Sequence, residues 1–152
     1  MIAFTDGSAK PNPGPAGASA IIYTKASECL PAPKLVSYSA AIGIEDINAG
    51  ELYAVGMVIE HAKLTLHTGE IAVFTDSGIV KGALASGASA GKENQALLRA
   101  ARSRMRALHE CKMSFYWVPG HSGIELNEAA DALANAGAEF SASNYASFHM
   151  PM

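Results

Sequence analysis

Hydrophobic and polar positions alternate along the first forty residues and then change period. Over Met1–Ser8, Ile2 and Phe4 alternate with small residues, which predicts a strand ending in the turn former Asp6-Gly7. Lys10–Gly17 carries three prolines and two glycines and reads as a loop. Ala18–Lys25 is apolar and β-branched, and Leu35–Ile42 alternates Val36, Tyr38, Ala40 and Ile42, giving a second and a third strand. Such short separations allow only antiparallel hairpins. From Glu51 to Leu66 the apolar residues Leu52, Val55, Val58, Ile59, Ala62 and Leu66 recur at helical spacing. Glu70–Thr75 is apolar almost throughout, as a buried parallel strand should be. Asp76-Ser77-Gly78 opens a short helix over Ile79–Ala85, residues 86–91 are small and read as flexible, and Lys92–Glu110 forms a helix with Leu97, Leu98, Ala101, Met105 and Leu108 on one face. Met113–Val118 is a fifth strand, Pro119–Gly123 a loop, and Asn127–Ala138 a last helix; residues 140–152, rich in Ser, Asn and Met, read as a weakly ordered tail. The order βββαβααβα predicts one α/β domain over residues 1–139, with a five-stranded mixed sheet, three antiparallel strands then two parallel, flanked by helices.

Composition narrows the class. The chain has 152 residues, the size of one domain, and is 49% hydrophobic and 16% charged, which suits a globular core. It holds no run of about 18 apolar residues, so no membrane span is expected. The first residues lack the basic start and apolar stretch of a secretory signal. Cys29 and Cys111 are too few for a disulfide framework and sit in no metal-ligand spacing. An intracellular, reducing location is therefore expected. The net charge of −3 lacks the Lys and Arg excess of a free-standing nucleic-acid binder.

Four acidic residues fall at element ends. Asp6 closes the first strand, Glu51 starts the first long helix, Asp76 closes the fourth strand and Asp131 lies in the first turns of the last helix. If strands one and four are adjacent and parallel, Asp6 and Asp76 stand side by side at a sheet edge, where ligands of open α/β sheets gather. Carboxylates so placed repel, and a divalent cation resolves the conflict. Oxygen ligands without a His or Cys set favour Mg²⁺ or Mn²⁺, and three or four carboxylates can hold the two ions used for in-line phosphoryl transfer. Each residue also has an architectural reading. Asp6 suits a turn, Asp76 before Ser77 an N-cap, Glu51 the helix macrodipole and Asp131 a solvated face. His121 reads as an exposed loop residue, and Trp117, between Tyr116 and Val118, as core.

Asp6-Gly7-Ser8, Asn12–Gly17, Glu51-Leu52, Thr75-Asp76-Ser77, Trp117–Gly123 and Asn127–Ala134, in this order and spacing, resemble the type 1 ribonuclease H family from Met1 to about Ala138. The Trp117–Ile124 wording, without a basic insertion, is most similar to the ribonuclease H domains of reverse transcriptases in non-LTR retrotransposons. The resemblance implies endonucleolytic hydrolysis of the RNA strand of RNA–DNA hybrids by two Mg²⁺ ions, with Mn²⁺ as substitute, leaving 3′-hydroxyl and 5′-phosphate ends. It assigns Asp6, Glu51, Asp76 and Asp131 as metal ligands and His121 as the mobile-loop histidine that assists proton transfer or product release. Substrate contacts carried over are Gly7, Ser8, Asn12, Asn48 and Ser77, with 2′-hydroxyls in a wide minor groove as the basis of hybrid selectivity.

Three departures bear on substrate binding. Where relatives often carry a Thr-Asn-Asn/Gln-Arg run before the catalytic Glu, this chain has Asp46-Ile47-Asn48-Ala49-Gly50. Gly78 follows Asp76-Ser77 where many relatives place a longer polar side chain. Ala83–Gly91 is small and neutral, which leaves Lys92, Arg99, Arg102, Arg104 and Arg106 as the nearest basic cluster. That cluster reads either as a solvated helix face or as a modest backbone track. Weak hybrid affinity follows for the domain alone, with a fused or associated reverse transcriptase domain supplying the rest through effective concentration; a monomer is expected. Two other readings share the fold. One is an inactive connector or nucleic-acid-binding module, the other a DNA-acting nuclease or strand transferase of the same superfamily. The four carboxylates argue against the first, and the Asp-Gly-Ser start with the Pro-Gly-His-Ser-Gly loop argues against the second.

Overall fold

β-Branched and alternating segments pair as the pattern requires. A computed structural model describes residues 1–28, 30–85 and 94–149, the side chains of 144–149 excepted. Strands β1 (Ile2–Ala9), β2 (Gly14–Thr24) and β3 (Lys34–Glu45) form an antiparallel meander. β4 (Gly69–Thr75) and β5 (Cys111–Trp117) extend it in parallel from the other side of β1, giving the order β3-β2-β1-β4-β5. This is the mixed α/β sheet expected from the sequence.

Successive strand residues point to opposite faces, and the two faces are covered differently. On one, α1 (Ile47–Leu64) lays Leu52, Val55, Val58, Ile59 and Ala62 against Ala3, Ala20, Ile22, Ile71 and Val73. The short α2 (Gly78–Val80), the single π-helical turn Lys81–Ala85 and α3 (Gln95–Ala107) close this core with Val80, Ala83 and Leu98. On the other, α4 (Glu125–His149) crosses β1, β2 and β3, and Ser19 and Ser39 donate to the carbonyls of Ala130 and Leu133. The helix sits this close because Gly17 and Gly137 have no Cβ. A methyl at Gly17 would strike the Ala134 carbonyl, and one at Gly137 the Ala40 carbonyl. Beyond α4, Phe4, Phe74 and Tyr116 stack as a ladder across β1, β4 and β5, with centroids 5.1 and 5.2 Å apart.

Several boundaries differ from the sequence reading, each for a local reason. β2 begins at Gly14, not Ala18, because Pro15 lies beyond the end of the β1 pairing, where its missing N–H is not needed, and a bulge at Ala16/Gly17 restores register with β3. α1 starts four residues before Glu51, because Asp46 caps it: its Oδ1 accepts from Ala49 N at 2.8 Å. α4 runs past Ala138 to His149, so residues 140–149 continue the helix. Ser141 anchors this extension, donating to the Ala16 carbonyl and accepting from Gly43 N. Trp117 is not core. β5 is an edge strand, and the indole is 51% exposed at its end. Residues 86–91, Lys92 and Cys29 lie outside the described residues; the helix expected over Lys92–Glu110 is described over Gln95–Ala107. Among the described residues, no helix is long and apolar enough to cross a membrane.

Candidate active site

Sheet register alone sets the first two acids. Phe4 pairs with Phe74 and Thr5 with Thr75 across parallel strands, so Asp76 leaves β4 level with Asp6 on β1. The end of β4 is held from three directions. Val118 N donates to Thr75 O, Ser77 N to Thr75 Oγ1, and the Trp117 indole N–H to Asp76 O at 3.2 Å. The α2 cap is Ser77, whose Oγ accepts from Val80 N, so the Asp76 carboxylate is free of the capping role.

Glu51 arrives from above, five residues into α1. The helix approaches β1 at Gly7, where an added Cβ would lie 2.5 Å from Glu51 N and 2.7 Å from the Gly50 carbonyl carbon. Only glycine permits that approach. It brings one carboxylate oxygen each of Asp6, Glu51 and Asp76 within 4.8 Å of one another.

Asp131 and His121 stand around this trio rather than in it. Asp131, half-buried on α4, accepts from Asn135 Nδ2 at 3.3 Å, and Asn135 Oδ1 in turn accepts from Ser8 Oγ at 2.7 Å. Its charge is nonetheless felt by both Asp6 and Asp76. His121 is 79% exposed, 3.8 Å from Glu128, in a loop whose Gly120 lies against the Asp76 carboxylate. Its φ of 54° is a left-handed conformation uncommon for a residue with a side chain.

Burial of these acids is electrostatically expensive. Burial raises the Asp6 pKa to about 7, with the Asp76 charge adding and hydrogen bonds from Glu51 and Gly7 N opposing. Glu51 is pushed well above the carboxylate range by burial, then by Asp6 and Asp76. Asp76 is raised by burial and Asp131, against a hydrogen bond from the buried Asn127. Asp6 Oδ2 and Glu51 Oε2 have no donor among the described residues. Buried carboxylate oxygens without a donor, on acids whose charges oppose one another, call for a proton or a cation. An all-oxygen trio with orphaned oxygens fits a hard divalent ion.

The family model described as RNase H matches residues 1–139. The chain belongs to the RNase H family. It is similar to the ribonucleases H of Hahella chejuensis (33% identity, 88% of this chain and 90% of that one) and Cereibacter sphaeroides (30%, 90% and 93%). Among solved structures it resembles RNase H1 of Halobacterium salinarum (27% identity, TM-score 0.68, 91% of this chain and 97% of that one). The N-terminal RNase H domain of rv2228c from Mycobacterium tuberculosis shares the fold at 24% identity and a TM-score of 0.75, over 95% and 96% of the two chains. The fold is type 1-like, and the molecule is an enzyme of the RNase H kind with an acidic cluster suited to a divalent metal.

Other sequence-assigned residues of this RNase H have visible structural tasks. Gly7 serves the approach of α1 to β1. Ser8 is buried and committed to Asn135. Ser77 caps α2, though its hydroxyl proton remains available. Asn12 Oδ1 accepts from Ile47 N at 3.0 Å, tying the β1–β2 loop to the start of α1. Asn48 is half-buried in the first turn of that helix. Sequence reading missed Asn127, Asn135 and the Trp117 indole, which fix Asp76 and Asp131. A polar or amphipathic residue in an otherwise apolar element was the available signal.

Proposed function

We propose that this RNase H hydrolyses the RNA strand of RNA–DNA hybrids endonucleolytically with two divalent ions, leaving 3′-hydroxyl and 5′-phosphate ends. The buried trio Asp6, Glu51 and Asp76, with two oxygens unpartnered among the described residues, carries the reading. The solved complex of LC11-RNase H1 with an RNA/DNA hybrid, which shares the fold at a TM-score of 0.73, is consistent with it.

The trio would hold one Mg²⁺, or Mn²⁺ in its place, and Asp131, beside the trio, would help Asp6 to hold the other. Bound there, the ions supply Lewis acidity at the phosphate oxygens and lower the pKa of water. The chain's own groups do the rest. Water attacks phosphorus and gives up a proton as the bond to the ribose 3′-oxygen breaks, and that oxygen takes a proton. His121, exposed on a loop whose Gly120 lies against Asp76, would deliver it. The Asn12 amide and Asn48 read 2′-hydroxyl and base edges in the minor groove. The Trp117–Ile124 wording and the acidic net charge support a polymerase-type neighbour, as in retroelement proteins, that raises local hybrid concentration.

End-labelled hybrid, double-stranded RNA and double-stranded DNA, each with Mg²⁺, Mn²⁺ or EDTA at low salt, test this. Metal-dependent cutting of hybrid RNA alone, with the stated ends, is expected. No cutting by folded protein at high concentration would favour the inactive-module reading, and cutting of DNA the strand-transferase reading.

A further inference from the structure

Positive charge is distributed unevenly in this molecule. All four arginines, Arg99, Arg102, Arg104 and Arg106, lie on α3, while the other seven cationic side chains are lysines spread along the chain. α3 contains no acidic residue. The four supply four of the chain's eleven positive charges, and without them the net charge of −3 would be −7.

Helix stability accounts for only part of this clustering: Arg104 and Arg106 lie in the last turn, where the macrodipole favours cations, but the spacing also costs energy. Arg99 with Arg102 and Arg102 with Arg106 are like-charge pairs at i,i+3 and i,i+4, each costing a few tenths of a kcal/mol. Arg102 has a structural task, donating to the Ala83 carbonyl at 2.7 Å. Arg99, Arg104 and Arg106 are exposed, and no ion pair holds them among the described residues.

Their position relates them to the trio. Asn94, which precedes α3, donates to Asp46 Oδ2 at 3.2 Å, so α3 and α1 begin side by side. Glu51 is five residues into α1 from that junction and Arg99 five residues along from Asn94, each about 7.5 Å up its own helix. α3 is about 20 Å long, so its arginines fall within the reach of a duplex turn, about 34 Å in B-form DNA, centred on the carboxylates.

We propose that Arg99 and Arg106 on one exposed stripe of α3, with Arg104 on the flank that meets α1, bind phosphates and hold the backbone of the bound duplex beyond the catalytic carboxylates. This is what lets an acidic protein take a polyanionic substrate. Guanidinium suits the task, since it binds phosphate in a fixed, bidentate geometry. The inference rests on the hybrid nuclease reading above. An acidic protein segment is the other class of ligand to consider, since Leu52, Tyr53, Gly56, Met57 and Leu97 form an apolar groove next to Arg104. Nucleic acid is favoured because Arg99 and Arg106, seven residues apart, share an exposed stripe of α3 outside that groove.

The test compares the full chain with R99Q/R104Q/R106Q, with the same three positions changed to Lys, and with K25Q/K34Q/K63Q. The last removes equal charge at the opposite end of the sheet. Hybrid cleavage gives kcat and KM from 25 to 200 mM KCl, and anisotropy in Mg²⁺ gives affinity for a double-stranded DNA of the same length. Thermal melting confirms that each variant folds. The Gln triple variant should raise KM and the DNA Kd about tenfold at low salt, and flatten the log–log salt slope by about 0.9 for each phosphate no longer neutralised. Its kcat should not move, and the Lys variant should recover most of the affinity. A Gln variant that behaves like the K25Q/K34Q/K63Q control overturns the proposal and leaves the α1–α3 groove to an acidic protein. Arginine-dependent DNA binding without hybrid cleavage supports the phosphate contacts and removes the nuclease reading. Cleavage with a KM indifferent to the arginines does the reverse, and a wild type that binds no duplex removes both.

Discussion

The three acids on β1, α1 and β4 and the two groups around them are built in different ways. Asp6 and Asp76 are placed by the hydrogen bonds of a parallel strand pair, and Glu51 by a helix pressed onto Gly7. These constraints are backbone constraints, made with the fold itself. Asp131 depends on Asn135 and Ser8, and His121 on a loop and a 3.8 Å approach to Glu128. Those are side-chain constraints, which exchange easily with solvent or a ligand. The fixed region is strained by its own charge and the outer region is adaptable, a division that suits binding ions first and handling substrate afterwards.

Removing one fixed acid should do the most. Asp76→Asn should lower hybrid cleavage by at least about 10³-fold, measured under single-turnover conditions. The same change should raise the metal-free melting temperature at pH 8, because it relieves repulsion with Asp6 and Asp131. A fall in both would mean that Asp76 holds the fold rather than the ions.

The next effect is on stability against pH without metal. Asp6 is raised from the ordinary 3.8 to about 7, so the folded state binds more protons than the unfolded state between those values. The stability linked to this proton is full below about pH 4 and is lost as pH rises through about 7, by a few kcal/mol at most. Urea unfolding in EDTA should therefore show a lower midpoint at pH 8 than at pH 5, and Mg²⁺ should restore more at pH 8.

The adaptable groups should matter less. Asp131→Asn should reduce cleavage by about 10- to 100-fold, with Asn135→Ala following it in the same direction. His121→Ala should cost about 10-fold in kcat, below the range of an obligatory acid or base. Equal losses for Asp131→Asn and Asp76→Asn would erase the distinction between the two regions. The smallest effect is expected at Asp46, whose carboxylate caps the start of α1. Asp46→Asn keeps a capping side chain and removes a negative charge, so KM for hybrid should fall about twofold at low salt.

Strand order and the Asp6–Asp76 pairing were legible in the sequence because they follow from strand period and short connections. The true start of α1 was not. Ile47-Asn48-Ala49-Gly50 lacks an apolar stripe, and its cap draws on Asn12 and Asn94, far away in the chain. Trp117 reads as core from its neighbours, since only tertiary order makes β5 an edge. The end of α4 was hidden for a similar reason: a Ser- and Asn-rich stretch is held by Ser141 against Ala16 and Gly43. Of the site, Asp6 and Asp76 could be found from strand ends, but Glu51 sits a turn inside α1, and Asn127 and Asn135 acquire their roles only when α4 crosses the sheet.

The central claim is that the buried trio is a ready divalent-cation site. Calorimetric titration of Mn²⁺ at pH 8 into the wild-type protein and Asp76→Asn, with melting temperatures recorded alongside, tests it most directly. The account predicts saturable binding to the wild type with a rise in melting temperature, and loss of both in Asp76→Asn. Identical titrations for the two proteins, or no binding by a folded wild type, would contradict it.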